Sequence, residues 1–180
     1  MSNLEKRIEI LKGSELKKTI SRLTFEIIEK VNNLENLLFL GIPTRGVFLS
    51  EVLTREMKNE TGTKIIQGVI DPTLHRDDQN KIGTRLIRAT DIPSSIENKE
   101  IILIDDVLFT GRTIRAAMEA IHSWGRPKKI MLLVMIDRGH RELPIQPDFC
   151  GKKVPTSRNE SIELRINSID GEEGVFLNKK

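Results

Sequence analysis

Hydrophobic positions along the chain keep two rhythms. In the first, apolar residues run almost without interruption through residues 37–42 (LLFLGI), 101–104 (IILI) and 129–136 (KIMLLVMI), with a looser alternation over 64–70. A strand with one wet face would alternate, so runs of this kind predict strands buried on both faces of a parallel sheet. In the second rhythm the spacing is three and four: Leu16, Ile20, Leu23, Ile27 and Val31, then Leu49, Val52, Leu53 and Met57, then Ile114, Ala117, Met118 and Ile121. Each set marks one face of an amphipathic helix. Ser14 is expected to cap the first helix, the third should begin near Thr113, and Gly125 with Pro127 should stop it. Alternating strands and helices predict an α/β fold with a mainly parallel central sheet flanked by helices. A short strand or arm is expected around Ile8 to Leu11, and residues 150–176 hold only short strand-like pieces, ESIELRI and VFL, without a helical period.

The chemistry gathers where the predicted strands end. After Ile104 come Asp105 and Asp106, then three apolar residues, then Thr110, Gly111, Arg112 and Thr113 at the start of a helix. The acids are expected where the chain leaves the carboxyl edge of the sheet, the edge at which open α/β sheets bind ligands. Amides at a turn and a helix N-terminus favour a phosphate, Gly111 permits close approach, and Thr110 and Thr113 add hydroxyl donors. Paired carboxylates suit sugar hydroxyls or a hydrated cation. The order does not fit a P-loop or a dinucleotide fingerprint, so a phosphorylated sugar fits better than a nucleoside triphosphate.

A second strand end carries Pro43, Thr44, Arg45 and Gly46. Arg45 is a candidate for a second anion that Gly46 would let the backbone approach; an ordinary strand-to-helix connection is the other reading. Residues 71–93 have no period and are crowded with Arg76, Lys81, Arg85 and Arg88, which suits either a binding lid or a solvated charged hairpin. A third strand end reads DRGHRELP from Asp137.

Length and composition narrow the class. A chain of 180 residues, 38% hydrophobic and 31% charged, suits one globular domain over 1–180. No stretch approaches the roughly 18 apolar residues of a membrane span, and MSNLEKRIEI lacks a signal-peptide core, so a cytoplasmic location and no membrane partner are expected. The lone Cys150 excludes an intrachain disulfide or a cysteine-rich metal site. A net charge of +3 permits a local basic face without demanding nucleic acid.

The run IILIDDVLFTGRT resembles the phosphoribosyl pyrophosphate (PRPP) signature of type I phosphoribosyltransferases. With PTRG, TLHRDD and DRGHRELP in the same order, and GKKVPTS after them, the chain is similar to the PyrR family of pyrimidine-operon attenuation regulators, which are also uracil phosphoribosyltransferases. The resemblance runs from about residue 10 to 177 and implies a type I phosphoribosyltransferase fold with a flexible lid near 71–93 and a base-binding hood over 137–177 completed by the N-terminal arm. It implies that Asp105 and Asp106 hold the ribose hydroxyls and that Val107, Leu108, Phe109, Thr110, Gly111, Arg112 and Thr113 line the 5′-phosphate of PRPP or UMP. Thr44, Arg45 and Gly46 would take the pyrophosphate on a loop that in this family usually holds a cis peptide. Catalysis would rest on Arg45, Arg76, Asp105 and Asp106, with Mg²⁺ arriving on PRPP and no dedicated metal site. Uracil would meet Ile136, Asp137, Arg138, Gly139, His140 and Arg141.

The regulatory half of the resemblance implies uridine-nucleotide-dependent binding of a pyrimidine-operon mRNA leader, UMP or UTP as effector, and a homodimer or larger homo-oligomer. Its candidate RNA contacts are Lys17, Lys18, Ser21, Arg22, Arg141 and Lys152, beside Arg138 and Lys153. Two positions depart from the family pattern: Phe25 stands where a histidine is usual and Gln146 where an arginine is common. A salvage enzyme without RNA binding is therefore the alternative, and a purine or orotate enzyme, sharing the PRPP site, is a third that DRGHRELP opposes.

Overall fold

The computed structural model describes residues 6–77 and 89–179. Five parallel strands form the main sheet in the order β3 (Ile66–Val69), β2 (Leu37–Gly41), β4 (Glu100–Leu108), β5 (Lys129–Asp137) and β6 (Phe149–Lys153). Successive side chains of the continuous apolar strands go to opposite faces. Leu37, Phe39, Ile102, Ile104, Leu133 and Met135 pack on one face with α1 (Gly13–Lys30) and α2 (Arg45–Thr61). Leu38, Leu40, Ile101, Leu103, Leu132 and Val134 pack on the other with α3 (Arg112–His122). Each fully buried Leu or Ile contributes roughly 1.5–3 kcal/mol over its exposed state, so both faces must be covered.

Three expectations are corrected. Ser14 lies inside α1; Lys12 is the N-cap residue, and its N–H is taken by Glu15 at 2.9 Å, so the carboxylate does the capping. The acids do not follow β4 but lie within it, because β5 keeps pairing as far as Leu108↔Asp137 while β2 stops at Gly41↔Ile104. Beyond Ile104, β4 therefore pairs with β5 alone. After residue 150 the expected strand pieces form β7 (Ser161–Arg165) and β8 (Gly174–Lys179), but two elements are added to them: β6 joins the main sheet beside β5, and a short helix α4 (Asn167–Asp170) follows β7.

The N-terminal strand β1 (Lys6–Lys12) pairs antiparallel with β8, which also pairs with β7, forming a three-stranded sheet in the order β1-β8-β7. Of the segment expected as a lid, the near end holds a 3₁₀ turn at Thr73–His75, and residues 78–88, with Lys81, Arg85 and Arg88, lie outside the described residues. Its ends meet at the edge of the main sheet, where Val69 and Asp91 exchange N–H···O bonds of 2.8 and 2.9 Å. Among the described residues no helix is long and apolar enough to cross a membrane.

Candidate active site

The strand order reverses at β2: the chain passes to β3 on one side and returns to β4 on the other. Crevices at such switch points, beyond the strands' carboxyl ends, are where open α/β sheets hold ligands. Both glycine-containing turns lie here, after β2 and after β4.

A cavity of about 260 Å³ opens on the β4–α3 turn, lined by Arg76, Asp105, residues 107–114 and Glu142. Gly111 caps α3 at φ 91°, a left-handed conformation that costs other residues roughly 1–2 kcal/mol, and a Cβ there would stand 3.3 Å from Ile145 Cδ1. The turn delivers the first amides of α3 and the Thr110 and Thr113 hydroxyls to one concavity, the arrangement that receives a phosphate. Arg76 reaches it as well, its Nη1 donating to Thr113 Oγ1. The Arg112 side chain is engaged elsewhere: Nε donates to Glu142 Oε2 and Nη1 to Asp77 Oδ2, both at 2.7 Å. What Arg112 offers the cavity is its main chain.

At the cavity's inner end Asp105 is 8% exposed, and Asp106 beside it is half-buried. Asp105 Oδ1 accepts the Asp106 N–H at 3.0 Å, and Asp106 Oδ1 accepts that of Val107 at 2.9 Å. Burial, and then the neighbouring Asp106 charge, hold the Asp105 carboxyl well above the ordinary carboxylate range. A partner bringing positive charge or hydroxyl donors would relieve both.

The β2–α2 turn is built differently. The Pro43–Thr44 peptide is cis. A Cβ on Gly46 would lie 2.3 Å from the Ile104 carbonyl oxygen, so this glycine lets the start of α2 touch β4. The Arg45 side chain is held by Leu164 and Asp170, and the Thr44 hydroxyl makes no bond capping α2.

The β5 end is bolted to the phosphate turn. Arg138 and Glu142 donate main-chain N–H groups to the Leu108 and Thr110 carbonyls, each at 3.0 Å. Arg138, 6% exposed, stacks 4.0 Å above the Phe109 ring and donates to Thr156 Oγ1 and to the Ser157 and Glu160 carbonyls. Burial lowers its pKa, opposed by Glu160. His140, at φ 61°, meets Phe109 edge-on and bonds the Thr156 carbonyl at 2.6 Å. Arg141 pairs with Asp137 at 2.7 Å and donates to the Phe109 carbonyl. A second cavity of about 340 Å³ lies among residues 137–140, Lys153, Pro155 and Thr156. Ile136 is wholly buried and is not among its lining residues. Lys153 as a cavity residue was missed for the base site because the strand that carries it, β6, was not recognised.

Of the candidate RNA contacts, Lys17, Lys18, Ser21 and Arg22 lie on α1 and Lys152 on β6, whereas Arg141 lies apart from them after β5, paired with Asp137. Lys18 is exposed and Ser21 half-buried, Lys17 lies 3.7 Å from Glu173, and Lys152 Nζ reaches the Ile10 carbonyl at 3.4 Å. Arg22 pairs with Glu26 and donates to the Gly151 carbonyl at 2.6 Å. Phe25, beside them, is 47% exposed.

Known proteins share the family and the fold that carry this crevice. The profile of the phosphoribosyl transferase domain matches residues 7–164. Bifunctional protein PyrR of Microcystis aeruginosa is 49% identical over 172 residues, 96% of this chain and 97% of that protein. Bifunctional protein PyrR of Limosilactobacillus fermentum is 45% identical over 175 residues, 96% and 98% of the two chains. Among solved structures, a hypoxanthine phosphoribosyltransferase from Staphylococcus aureus superposes with a TM-score of 0.71 at 18% identity, covering 100% of this chain and 98% of that one. A mutant hypoxanthine phosphoribosyltransferase from Trypanosoma cruzi, in a ternary substrates complex, gives 0.74 at 13% identity, over 99% and 97%. These neighbours share the fold, the type I phosphoribosyltransferase fold, and on sequence the chain belongs to the phosphoribosyltransferase family and, within it, to the PyrR proteins.

Proposed function

We propose that the protein is a uracil phosphoribosyltransferase, converting uracil and PRPP to UMP and pyrophosphate, and that it also regulates pyrimidine-operon attenuation by binding the mRNA leader. The observation carrying the enzymatic part is the β4–α3 cavity, where Asp105, with Asp106 next to it in β4, and the turn of residues 110–113 border a space sized for ribose 5-phosphate. Asp105 and Asp106 take the ribose hydroxyls, and the amides and hydroxyls of residues 110–113 take the 5′-phosphate. The backbone of residues 44–46, across the switch point, takes the diphosphate. Uracil lies in the second cavity, read by the polar groups of residues 137–141 and by Lys153.

Uracil N1 bonds to the anomeric carbon as the bond from that carbon to the diphosphate oxygen breaks, the electron pair leaving with the diphosphate and the N1 proton passing to that diphosphate or to water. The protein's part is to align the two reactants and to stabilise the charge that develops. Arg76, donating to Thr113 at the cavity wall, is placed for this. The hard oxygen donors of Asp105 and Asp106, the first of them pushed toward its protonated form by burial and then by its neighbour's charge, fit a magnesium ion carried in by PRPP. When bound, that ion would neutralise charge on the leaving group. Incubating the protein with Mg-PRPP and a panel of bases tests the proposal: uracil should release pyrophosphate faster than hypoxanthine, guanine or orotate, and a preference for any of these would overturn it.

RNA binding draws support from the relatives' name, bifunctional, and from the α1–β6 surface with Lys17, Lys18 and Lys152 beside the exposed Phe25. A salvage enzyme without RNA is favoured by a different observation: Arg22 and Arg141 both spend their donors inside the chain. Titrating the operon leader with UMP at several salt concentrations separates the two. A UMP-dependent affinity above that for a scrambled RNA, with a steep salt slope, supports regulation, and its absence leaves salvage alone.

A further inference from the structure

Arg45 opens α2 on the loop assigned above to the diphosphate, yet its guanidinium is bound by a distant part of the chain. Nε donates to the Leu164 carbonyl at the end of β7. Nη2 donates to Asp170 Oδ1 and Oδ2 at 3.1 and 3.4 Å and lies 3.6 Å from Glu163. Asp170 is itself fixed, because its Oδ2 accepts the Ile166 N–H at 2.8 Å and its own N–H donates to the Ile166 carbonyl at 2.7 Å. Beyond it the ion pairs continue, from Glu163 to Arg165, from Arg165 to Glu172 at 2.6 Å and from Glu172 to Arg7 at 2.7 Å, and Arg7 stacks on Phe176.

The three-stranded sheet is thereby tied through one side chain to the first residue of α2. A forked guanidinium with its donors fixed at both Nε and Nη cannot rotate freely, so the backbone of residue 45 is fixed with it. Gly46 on its other side is pressed against the Ile104 carbonyl.

We propose that Arg45 is a positioning residue: Leu164 and Asp170 hold its side chain so that the main chain of residues 44–46 presents its amides to the diphosphate, making the β7–α4 segment part of that site without touching the ligand. This rests on the reading of 44–46 as the diphosphate loop.

The experiment titrates Mg-pyrophosphate and, separately, UMP into the wild-type chain, Asp170→Asn and Asp170→Glu, with steady-state kinetics and melting temperatures on each. Losing a charge-assisted hydrogen bond predicts that Asp170→Asn weakens Mg-pyrophosphate about tenfold and raises KM for PRPP by a similar factor, with kcat and UMP affinity within about twofold of wild type. Asp170→Glu, which keeps the charge, should lose less. Unchanged pyrophosphate affinity in Asp170→Asn would overturn the inference, as would a parallel loss of both ligands alongside a lowered melting temperature. If wild type binds UMP but no Mg-pyrophosphate, the diphosphate reading itself fails and the inference with it.

Discussion

The two turns at the switch point have nearly the same plan, a buried strand, a glycine and a helix, and use it for opposite ends. After β4 the glycine is at positive φ and turns the chain so that amides and hydroxyls face a cavity. After β2 the glycine is at the start of the helix and removes a side chain so that α2 can meet β4. Their arginines divide likewise. Arg112 is clamped between Asp77 and Glu142, flanking the cavity, whereas Arg45 is clamped by β7 and α4 on another sheet. A strand–glycine–helix pattern therefore marks a place where backbone comes close to something. What it comes close to, ligand or neighbouring strand, depends on how far the adjacent strands extend.

The sharpest way to break this comparison is to remove the acids that only the β4 turn has. Asp105→Asn with Asp106→Asn should lower UMP formation by roughly 10³-fold or more, with the circular dichroism spectrum and melting transition retained. Unchanged turnover would remove the ribose-binding role.

Next comes the glycine pair. Gly46→Ala forces a Cβ against the Ile104 carbonyl and should cost about 1–3 kcal/mol in urea unfolding. Gly111→Ala strains one residue's backbone and should cost about 1–2 kcal/mol, while raising KM for PRPP. Equal kinetic defects in the two variants would erase the distinction between a packing glycine and a ligand glycine.

The smallest effect is on stability versus pH. Asp105 in the folded protein holds its proton to a higher pH than in the unfolded chain, where it ionises near about 3.9. Between those two values the native state binds more protons, so Asp105 makes stability fall as pH rises through the window, the loss being complete above the folded value. Asp105→Asn keeps the shape and removes the charge. In free protein, at a pH above the folded value, it should raise the melting temperature, with the difference closing on acidification toward about pH 4. A constant difference across that range would mean that burial of the charge is not the cause.

The sequence made the layered core readable because Ile101 to Ile104, and their counterparts in β2 and β5, are apolar without interruption. The phosphate turn was readable because Thr110, Gly111 and Thr113 stand immediately before a helical period. Other features depend on relations between segments. Whether Asp105 lies in a strand or beyond it depends on β2 stopping at Gly41 while β5 continues to Asp137, which no local pattern encodes. β6 reads FCGKK, with too few apolar residues to signal an edge strand, and so Lys153 could not be placed beside the base cavity. Arg45 was assigned to an anion by its neighbours in sequence, whereas its partners Leu164 and Asp170 lie far along the chain.

The pairing of β1 with β8 sets an order on synthesis. Residues 6–12 leave the ribosome before the rest of the fold but have no strand to join until residues 174–179 emerge, roughly 8–35 seconds later at about 5–20 residues per second. All five parallel strands are translated within that interval, so the N-terminal strand must wait beside a nearly finished core, an unpaired edge for a chaperone or a neighbouring nascent chain to find.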